Sequence, residues 1–181
     1  MSLLSTKTKY NYSDYRKLPD DGKRYQIIGG DLYMVPAPVP YHQEISWNLE
    51  FILSKYIRSK NLGKLFYAPC DVVLSKENVV QPDIFFISKE REHIIGAKNI
   101  RGAPDLIIEI LSPRTKVIDR KLKFDLYERF GVKEYWIVDP NKKEIEVLAL
   151  TENGYISYGI FREDFESPLL KGLTVSFKEV F

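Results

Sequence analysis

Two carboxylates inside apolar segments are the residues of this chain best suited to chemistry. Asp83 lies within residues 79–87 and Glu109 within residues 104–111. Both segments are rich in β-branched and aromatic residues, which predicts two buried strands, each with one carboxylate in its middle. Such carboxylates are unfavourable in an apolar sheet without a cation, and neighbouring ones repel each other. The pattern therefore predicts a divalent metal ion held between Asp83 and Glu109.

The predicted metal is Mg²⁺ (or Mn²⁺), because both ligands are hard oxygens, and the backbone carbonyl of Ile110 would add a third. Hydrolysis of a phosphodiester needs such an ion, an oriented water and a cation that offsets charge on the phosphate. The cation is expected from the helix predicted at residues 116–130, which ends at Gly131.

Side chains four positions apart lie along one side of that helix. One row is apolar and should face the core; it contains Ile118, Leu122, Leu126 and Phe130. A second row alternates in charge and should face solvent; it contains Lys121, Asp125 and Arg129. The third row, Asp119, Lys123 and Tyr127, is the best candidate for a polar cleft. Lys123 is the predicted catalytic cation, with Lys121 as its rival, and Tyr127 would hydrogen-bond a phosphate or the lysine.

These residues must be positioned by strands and helices that the sequence also indicates. A helix from Ser13 to residue 18 precedes a hairpin of residues 25–28 and 32–35, and a longer helix follows at residues 41–59. The remaining predicted strands cover residues 64–68, 71–74, 134–138 and 144–150. This order predicts one α/β domain over residues 1–181, with a central mixed β-sheet flanked by helices.

Composition excludes several classes of protein. The 181 residues include one cysteine and two histidines, which rules out a disulfide framework, a cysteine zinc site and a multi-histidine metal centre. No apolar segment approaches the length of a membrane helix, and residues 1–12 form neither a signal peptide nor an anchor. The expectation is a cytoplasmic protein. The net charge of +2 does not indicate nucleic-acid binding, although a cluster of basic side chains around one cleft would not show in that total.

Pro82-Asp83 followed by Glu109-Ile110-Leu111 resembles the PD-(D/E)XK nuclease superfamily. Leu111 departs from the superfamily pattern, which has a lysine two residues after the second acid. Some members place that lysine on the following helix, where Lys123 lies.

A closer resemblance is to the Uma2-type family of restriction-endonuclease-like proteins. It rests on an ordered set of segments: residues 25–32, Pro36, His42-Gln43, 81–83, 104–113, Asp119, Lys123, Tyr127 and 131–140. The resemblance implies a restriction-endonuclease-like fold and divalent metal binding. It also keeps Asp31 and His42 as secondary candidates near the site, together with Asp119 and Lys121.

The same residues allow structural interpretations. Asp83 would end a strand or cap a turn, Glu109 would form a buried ion pair with Lys123, and Tyr127 would be a core aromatic. His42 would be a packing or capping residue. Ser112 and Arg114 would belong to a loop or contact phosphate, and Tyr135 and Trp136 would lie in the core or an interface.

Three functions therefore remain open. The leading prediction is a Mg²⁺-dependent endonuclease that hydrolyses DNA, and by analogy with nucleases of this architecture a homodimer is expected. The alternative is a catalytically inactive nucleic-acid- or protein-binding module that retains the fold. A third is a hydrolase of small phosphoesters.

Overall fold

A computed structural model describes residues 2–3, 9–112 and 118–181, with side chains described at 9–112 and 120–181. Fourteen strands are present in the described residues: β1 Ser2–Leu3, β2 Arg24–Ile28, β3 Asp31–Val35, β4 Gly63–Tyr67, β5 Val72–Ser75, β6 Asn78–Val80, β7 Ile84–Ser88, β8 Ile100–Arg101, β9 Leu106–Ile110, β10 Glu134–Asp139, β11 Glu144–Thr151, β12 Gly154–Phe161, β13 Phe165–Glu166 and β14 Thr174–Val175. The helices described are α1 Tyr12–Tyr15, α2 Pro40–Lys60, α3 Lys123–Arg129 and α4 Phe177–Val180; a 3₁₀ segment spans Lys89–Ile94 and a π-helical turn spans Ile118–Leu122.

The central sheet has the strand order β12-β11-β10-β9-β7-β4. Strands β9 and β10 are parallel, and the other neighbours are antiparallel, so the sheet is mixed as predicted. Strand β9 is buried along its whole length. This position explains its nearly continuous apolar sequence, because a central strand covered on both faces has no solvent side.

Helix α2 covers one face of the central sheet. Pro40 starts the helix, where a missing N–H is tolerated, and Asn61 ends it in the left-handed conformation at φ 52°. Ile45, Leu49 and Leu53 recur at helical spacing and are fully buried against that face. The helix is therefore held by one apolar stripe, as its sequence predicts.

Helix α3 and a second sheet cover the opposite face. The second sheet has the order β1-β3-β2-β6-β5-β8, and β13 pairs with β14 in a small hairpin. Leu126 and Tyr127 of α3 pack with Ile107 of β9 and with Val80 of β6 in one cluster. The central sheet is thus flanked by helices on both faces, which confirms the predicted architecture. None of the helices in the described residues is long and apolar enough to span a membrane.

The prediction of a single strand over residues 79–87 is wrong. The segment divides into β6 and β7, which belong to different sheets, and Asp83 lies in the bend between them rather than inside a strand. Pro82 supplies the physical reason, because proline has no N–H for a strand ladder and favours a break. The bend brings the two sheets together beside Asp83.

One predicted helix start also differs from the structure. Asn11, rather than Ser13, caps the first helix, and its side chain accepts hydrogen bonds from the backbone of Ser13 and Asp14. Of the helix expected at residues 116–130, the structure describes residue 118 onward, as a π-helical turn that continues into α3; residues 113–117 lie outside the described residues.

Candidate active site

A cavity of about 380 Å³ opens at the carboxyl end of β9. Both sheets and helices α2 and α3 contribute to its wall, which is formed by Arg24, Gln26, Val35, Pro36, Ala37, Pro38, Val39, Tyr41, His42, Gln81, Asp83, Glu109, Ile110, Leu111, Ser112, Lys123, Pro140 and Asn141. The two predicted carboxylates and the predicted lysine therefore border one space, although residues far apart in the sequence supply them.

Asp83 is positioned by the pairing of β7 with β9. Ile84 pairs with Ile108, and Phe85 pairs with Ile107. One step further along this antiparallel register places Asp83 opposite Glu109, and opposite residues point to the same side of a sheet. The Asp83 side chain continues the pairing itself, because its Oδ2 accepts a hydrogen bond of 2.8 Å from the N–H of Ile110.

Glu109 is held by two side chains of α3. Lys123 Nζ lies 2.9 Å from Glu109 Oε2, and the Tyr127 hydroxyl donates a hydrogen bond of 2.6 Å to Glu109 Oε1. The Glu109 and Lys123 side chains are only 3% and 4% exposed. Such a buried pair is stable only because each charge has the other as a partner. The two α3 residues are four positions apart, so one side of the helix delivers both groups.

His42 contacts Asp83 from the opposite side of the central sheet. Its Nε2 lies 3.2 Å from Asp83 Oδ2, and its side chain is 10% exposed. Burial lowers the pKa of His42, but hydrogen bonding to Asp83, the Asp83 charge, the Ile110 backbone and the Glu109 charge together raise it above 6.5. The first turn of α2 thus supplies a second cationic group to this cavity below the raised pKa.

The donor set fits a hard divalent ion. Asp83 and Glu109 border the same cavity and present carboxylate oxygens, and the Ile110 carbonyl belongs to the residue that follows Glu109 and bonds Asp83 through its N–H. Mg²⁺ is commonly bound by one or two carboxylates, with water and substrate phosphate completing its shell. No three His, Cys, Asp or Glu side chains converge to form a metal site among the described residues. A metal here would therefore depend on water and substrate oxygens.

The structure places the other candidates less centrally. Asp31 begins β3 and lies 3.5 Å from Lys9 Nζ; it is outside the cavity wall. Lys121 is exposed, so the charge-alternating row faces solvent as predicted. Ser112 borders the cavity. The Asp119 side chain and all of Arg114 lie outside the described residues.

Tyr135 and Trp136 are fully buried core residues. Their side chains point to opposite faces of β10, so Tyr135 joins the cluster on the α3 side and Trp136 joins the cluster under α2. This confirms the core interpretation for both.

Sequence reasoning assigned no role to three polar residues of the cavity wall. Arg24 and Gln26 come from β2, and Gln81 comes from the bend before Asp83. Gln26 is 1% exposed in the middle of β2, between Tyr25 and Ile27. A buried amide inside a strand is the signal that would have indicated it, since such groups require partners.

Comparisons with known proteins agree with this architecture. Residues 12–178 match the model of the Uma2 family, whose description is "Putative restriction endonuclease". A solved crystal structure, described as "a putative nuclease belonging to DUF820" from Anabaena variabilis ATCC 29413, superposes with a TM-score of 0.76. The match has 21% sequence identity and covers 94% of this chain and 97% of that chain, which shows a shared fold. No curated protein matches the chain.

Proposed function

Because the chain belongs to the Uma2 family of restriction-endonuclease-like proteins, we propose that it is a Mg²⁺- or Mn²⁺-dependent endonuclease that hydrolyses DNA phosphodiester bonds. One observation carries the proposal. Asp83 bonds the N–H that follows Glu109, and Lys123 lies against Glu109, so two acids and a lysine converge on one cavity. This constellation matches the requirements of phosphodiester hydrolysis.

Each residue has a distinct part in the proposed reaction. Asp83, Glu109 and the Ile110 carbonyl would hold the ion, which when bound would polarise the phosphate and lower the pKa of the attacking water. Lys123 would offset the negative charge that grows on the phosphate oxygens. Tyr127 keeps Glu109 oriented through its hydrogen bond. Leu111, two residues after Glu109, is apolar and buried, so α3 rather than β9 supplies the lysine that contacts Glu109.

Cleavage of DNA tests the proposal. A mixture of supercoiled plasmid and linear duplex is incubated with Mn²⁺, and the wild type is expected to nick or cut it. Glu109→Gln and Lys123→Met should abolish cleavage, whereas Lys121→Met, the matched exposed control two residues away, should cut normally. Cleavage by Glu109→Gln at the wild-type rate would contradict the assignment.

The alternative is a binding module without catalysis, and the pairing of Glu109 with Lys123 favours it. Both groups are already neutralised in the absence of metal, as in a purely structural ion pair. Such a module would retain DNA or a protein partner with Mn²⁺ present and leave the strands intact. Hydrolysis of small phosphate esters without DNA retention would instead indicate the third function.

The proposal also includes an oligomeric state, the homodimer, and a cellular location, the cytoplasm. A homodimer in the cytoplasm would allow both strands of a duplex to be cut by two equivalent sites. Sedimentation velocity over a range of protein concentrations is expected to give the mass of two chains. A monomer at every concentration would remove the dimer from the proposal without affecting the chemistry of one site.

A further inference from the structure

Three buried polar atoms without partners belong to residues of the cavity wall. Gln26 Oε1, Gln81 Oε1 and His42 Nδ1 have no hydrogen-bond partner among the described residues. Buried amide oxygens normally have partners, because leaving one unpaired carries its full desolvation cost. They are the three such side-chain atoms found in the described part of the chain, and all of them occur around this one cavity.

Flipping the two glutamine amides would not resolve their unpaired oxygens. Gln81 Nε2 donates to Asp71 Oδ1 at 2.8 Å and to the Tyr15 hydroxyl oxygen at 3.2 Å. Gln26 Nε2 donates to the Gln81 carbonyl at 3.4 Å. A flipped amide would place oxygen against oxygen in both cases, so the donors fix which way each acceptor faces. The pair is therefore held as two oriented acceptors.

Arg24 adds a cation beside these acceptors. It is two residues before Gln26 on β2, so both side chains lie on the same face of the strand, and both border the cavity. Arg24 reaches the Pro36 carbonyl at 3.4 Å, a contact that holds the guanidinium near the cavity. The cavity wall thus combines a phosphate-binding group with fixed hydrogen-bond acceptors.

We infer that this wall is a recognition subsite for one unpaired nucleobase, held through its N–H donors by Gln26 and Gln81, with Arg24 on the adjoining phosphate. The inference rests on the proposed nuclease function and specifies its substrate as DNA with an unpaired nucleotide next to the cleaved bond. The volume supports this choice, since about 380 Å³ lies at the small end of pockets that take single small molecules. A base must leave the helical stack to present its edge in such a pocket.

Binding without divalent metal tests the inference, because no strand is cut under that condition. Three fluorescently labelled DNAs are compared: a perfect duplex, the same duplex with one unpaired nucleotide, and that second duplex with an abasic site at the unpaired position. Wild-type protein should bind the DNA with the unpaired base roughly tenfold more tightly than the abasic DNA, the scale of one to two lost hydrogen bonds. Equal affinity for all three would overturn the inference without any variant.

Gln26→Met then identifies the acceptor. The substitution keeps the side-chain length and removes the unpaired oxygen, so the variant should bind base-containing and abasic DNA alike. Gln43→Met, at an exposed position of α2, should keep the wild-type discrimination. Full discrimination in Gln26→Met would contradict the subsite. If Gln26→Met fails to fold, Gln26→Asn retracts the same oxygen by one methylene and should lose the same discrimination.

The outcome separates this inference from the proposed function. If the wild type does not cleave DNA but binds the unpaired base selectively, the proposed nuclease function is contradicted and the base-binding subsite is supported. If cleavage requires Glu109 but proceeds equally fast on paired and unpaired DNA, the nuclease function is supported and the subsite is contradicted.

Discussion

At the scale of single residues, the decisive contact is between Lys123 and Glu109. Their separation of 2.9 Å in a nearly unexposed environment means that each neutralises the other. A metal ion at Glu109 would take over part of that role and leave the lysine available to a phosphate. The same contact is thus expected both to stabilise the fold and to prepare the site.

Lys123→Met should expose this dual role. Without the lysine, Glu109 remains buried and uncompensated, so the free energy of unfolding in the absence of metal should fall by about 3–5 kcal/mol. Mn²⁺ should restore more stability to this variant than to the wild type, because the ion replaces the missing positive charge. Urea unfolding with and without Mn²⁺ measures both effects. The exposed control Lys121→Met should stay within about 0.5 kcal/mol of the wild type.

Tyr127→Phe tests the second contact of Glu109. The ring remains packed against Tyr135, and only the 2.6 Å hydrogen bond to Glu109 Oε1 is lost. A hydrogen bond to a charged group contributes about 1.5–3 kcal/mol, so a drop of that size is expected in urea unfolding. Cleavage should be weakened but retained, since the hydroxyl orients Glu109 and does not replace the lysine. Complete loss of cleavage with unchanged stability would instead give Tyr127 a direct catalytic role.

At the scale of elements, one buried carboxylate links the last residue of β7 to the residue before β10. This link lies at the end of the central sheet away from the cavity. Asp105 precedes β9 and is fully buried. Its carboxylate accepts the Ser88 N–H at 2.8 Å and pairs with Lys133 at 2.8 Å and Arg91 at 3.1 Å. These contacts hold β9 in register between its two neighbours, and Glu109 lies four residues along the same strand.

Asp105→Asn should therefore destabilise the sheet in a pH-dependent way. Burial raises the Asp105 pKa, but bonds from Lys133, the Ser88 N–H and Arg91 outweigh it, so the pKa lies below 3.8. A lowered pKa stabilises the fold above the unfolded-state value, and the contribution is lost as pH falls through the folded-state value. The variant should lose about 1.5–3 kcal/mol at neutral pH, the contribution of hydrogen bonds to a charged group. The difference from wild type should shrink in acid, as followed by urea unfolding across pH; a pH-independent difference would contradict the mechanism.

At the scale of the whole molecule, the cavity exists because two sheets meet. Strand β2 of the second sheet supplies Arg24 and Gln26, and the central sheet supplies Glu109. Asp83 stands where the chain passes from one sheet to the other. A ligand bound in this cavity contacts several parts of the fold, so its binding should stabilise all of them together.

Metal binding should therefore raise the stability of the entire chain. A ligand at about one hundred times its dissociation constant adds about 2.7 kcal/mol to the free energy of unfolding. Thermal denaturation at increasing Mn²⁺ should show one transition whose midpoint rises with concentration. Asp83→Asn should abolish the rise, whereas Asp31→Asn, at a half-buried acid outside the cavity wall, should keep it. A rise that persists in Asp83→Asn would place the ion elsewhere.

The C-terminal segment is tied to the central sheet by another buried carboxyl group. Glu134 Oε1 accepts hydrogen bonds from Trp136 Nε1 at 2.5 Å and Ser167 at 2.9 Å, and Oε2 accepts one from the Leu169 N–H at 2.7 Å. Burial raises the Glu134 pKa above 4.5 despite these donors. A raised pKa adds stability that is full below the unfolded-state value and lost as pH rises through the folded-state value.

Glu134→Gln should remove that pH dependence. The variant cannot ionise, so the decline in wild-type stability as pH rises through the Glu134 pKa should be flatter in the variant. The amide would also place an N–H against the Leu169 N–H and weaken the hold on the C-terminal segment. Urea unfolding from acid to neutral pH checks the slope. Parallel curves for the two proteins would show that Glu134 does not titrate in this range.

The sequence by itself determined which residues are candidates for chemistry and which layers form this fold. Apolar periodicity predicted α2, the β2–β3 hairpin and the buried β9, because local spacing decides which face of an element is covered. The row that contains Lys123 and Tyr127 was predictable for the same reason, since residues four apart share one side of a helix whatever surrounds it.

Only the tertiary structure decided which distant residues meet. Asp83 was expected inside a strand, and the structure places it at a bend between two sheets, because Pro82 ends one ladder and long-range pairing starts another. His42, Arg24 and Gln26 reach the cavity from α2 and from the second sheet, and no local pattern encodes such convergence. Packing between sheets assembles the site, and the free energy of that packing depends on contacts across the whole chain.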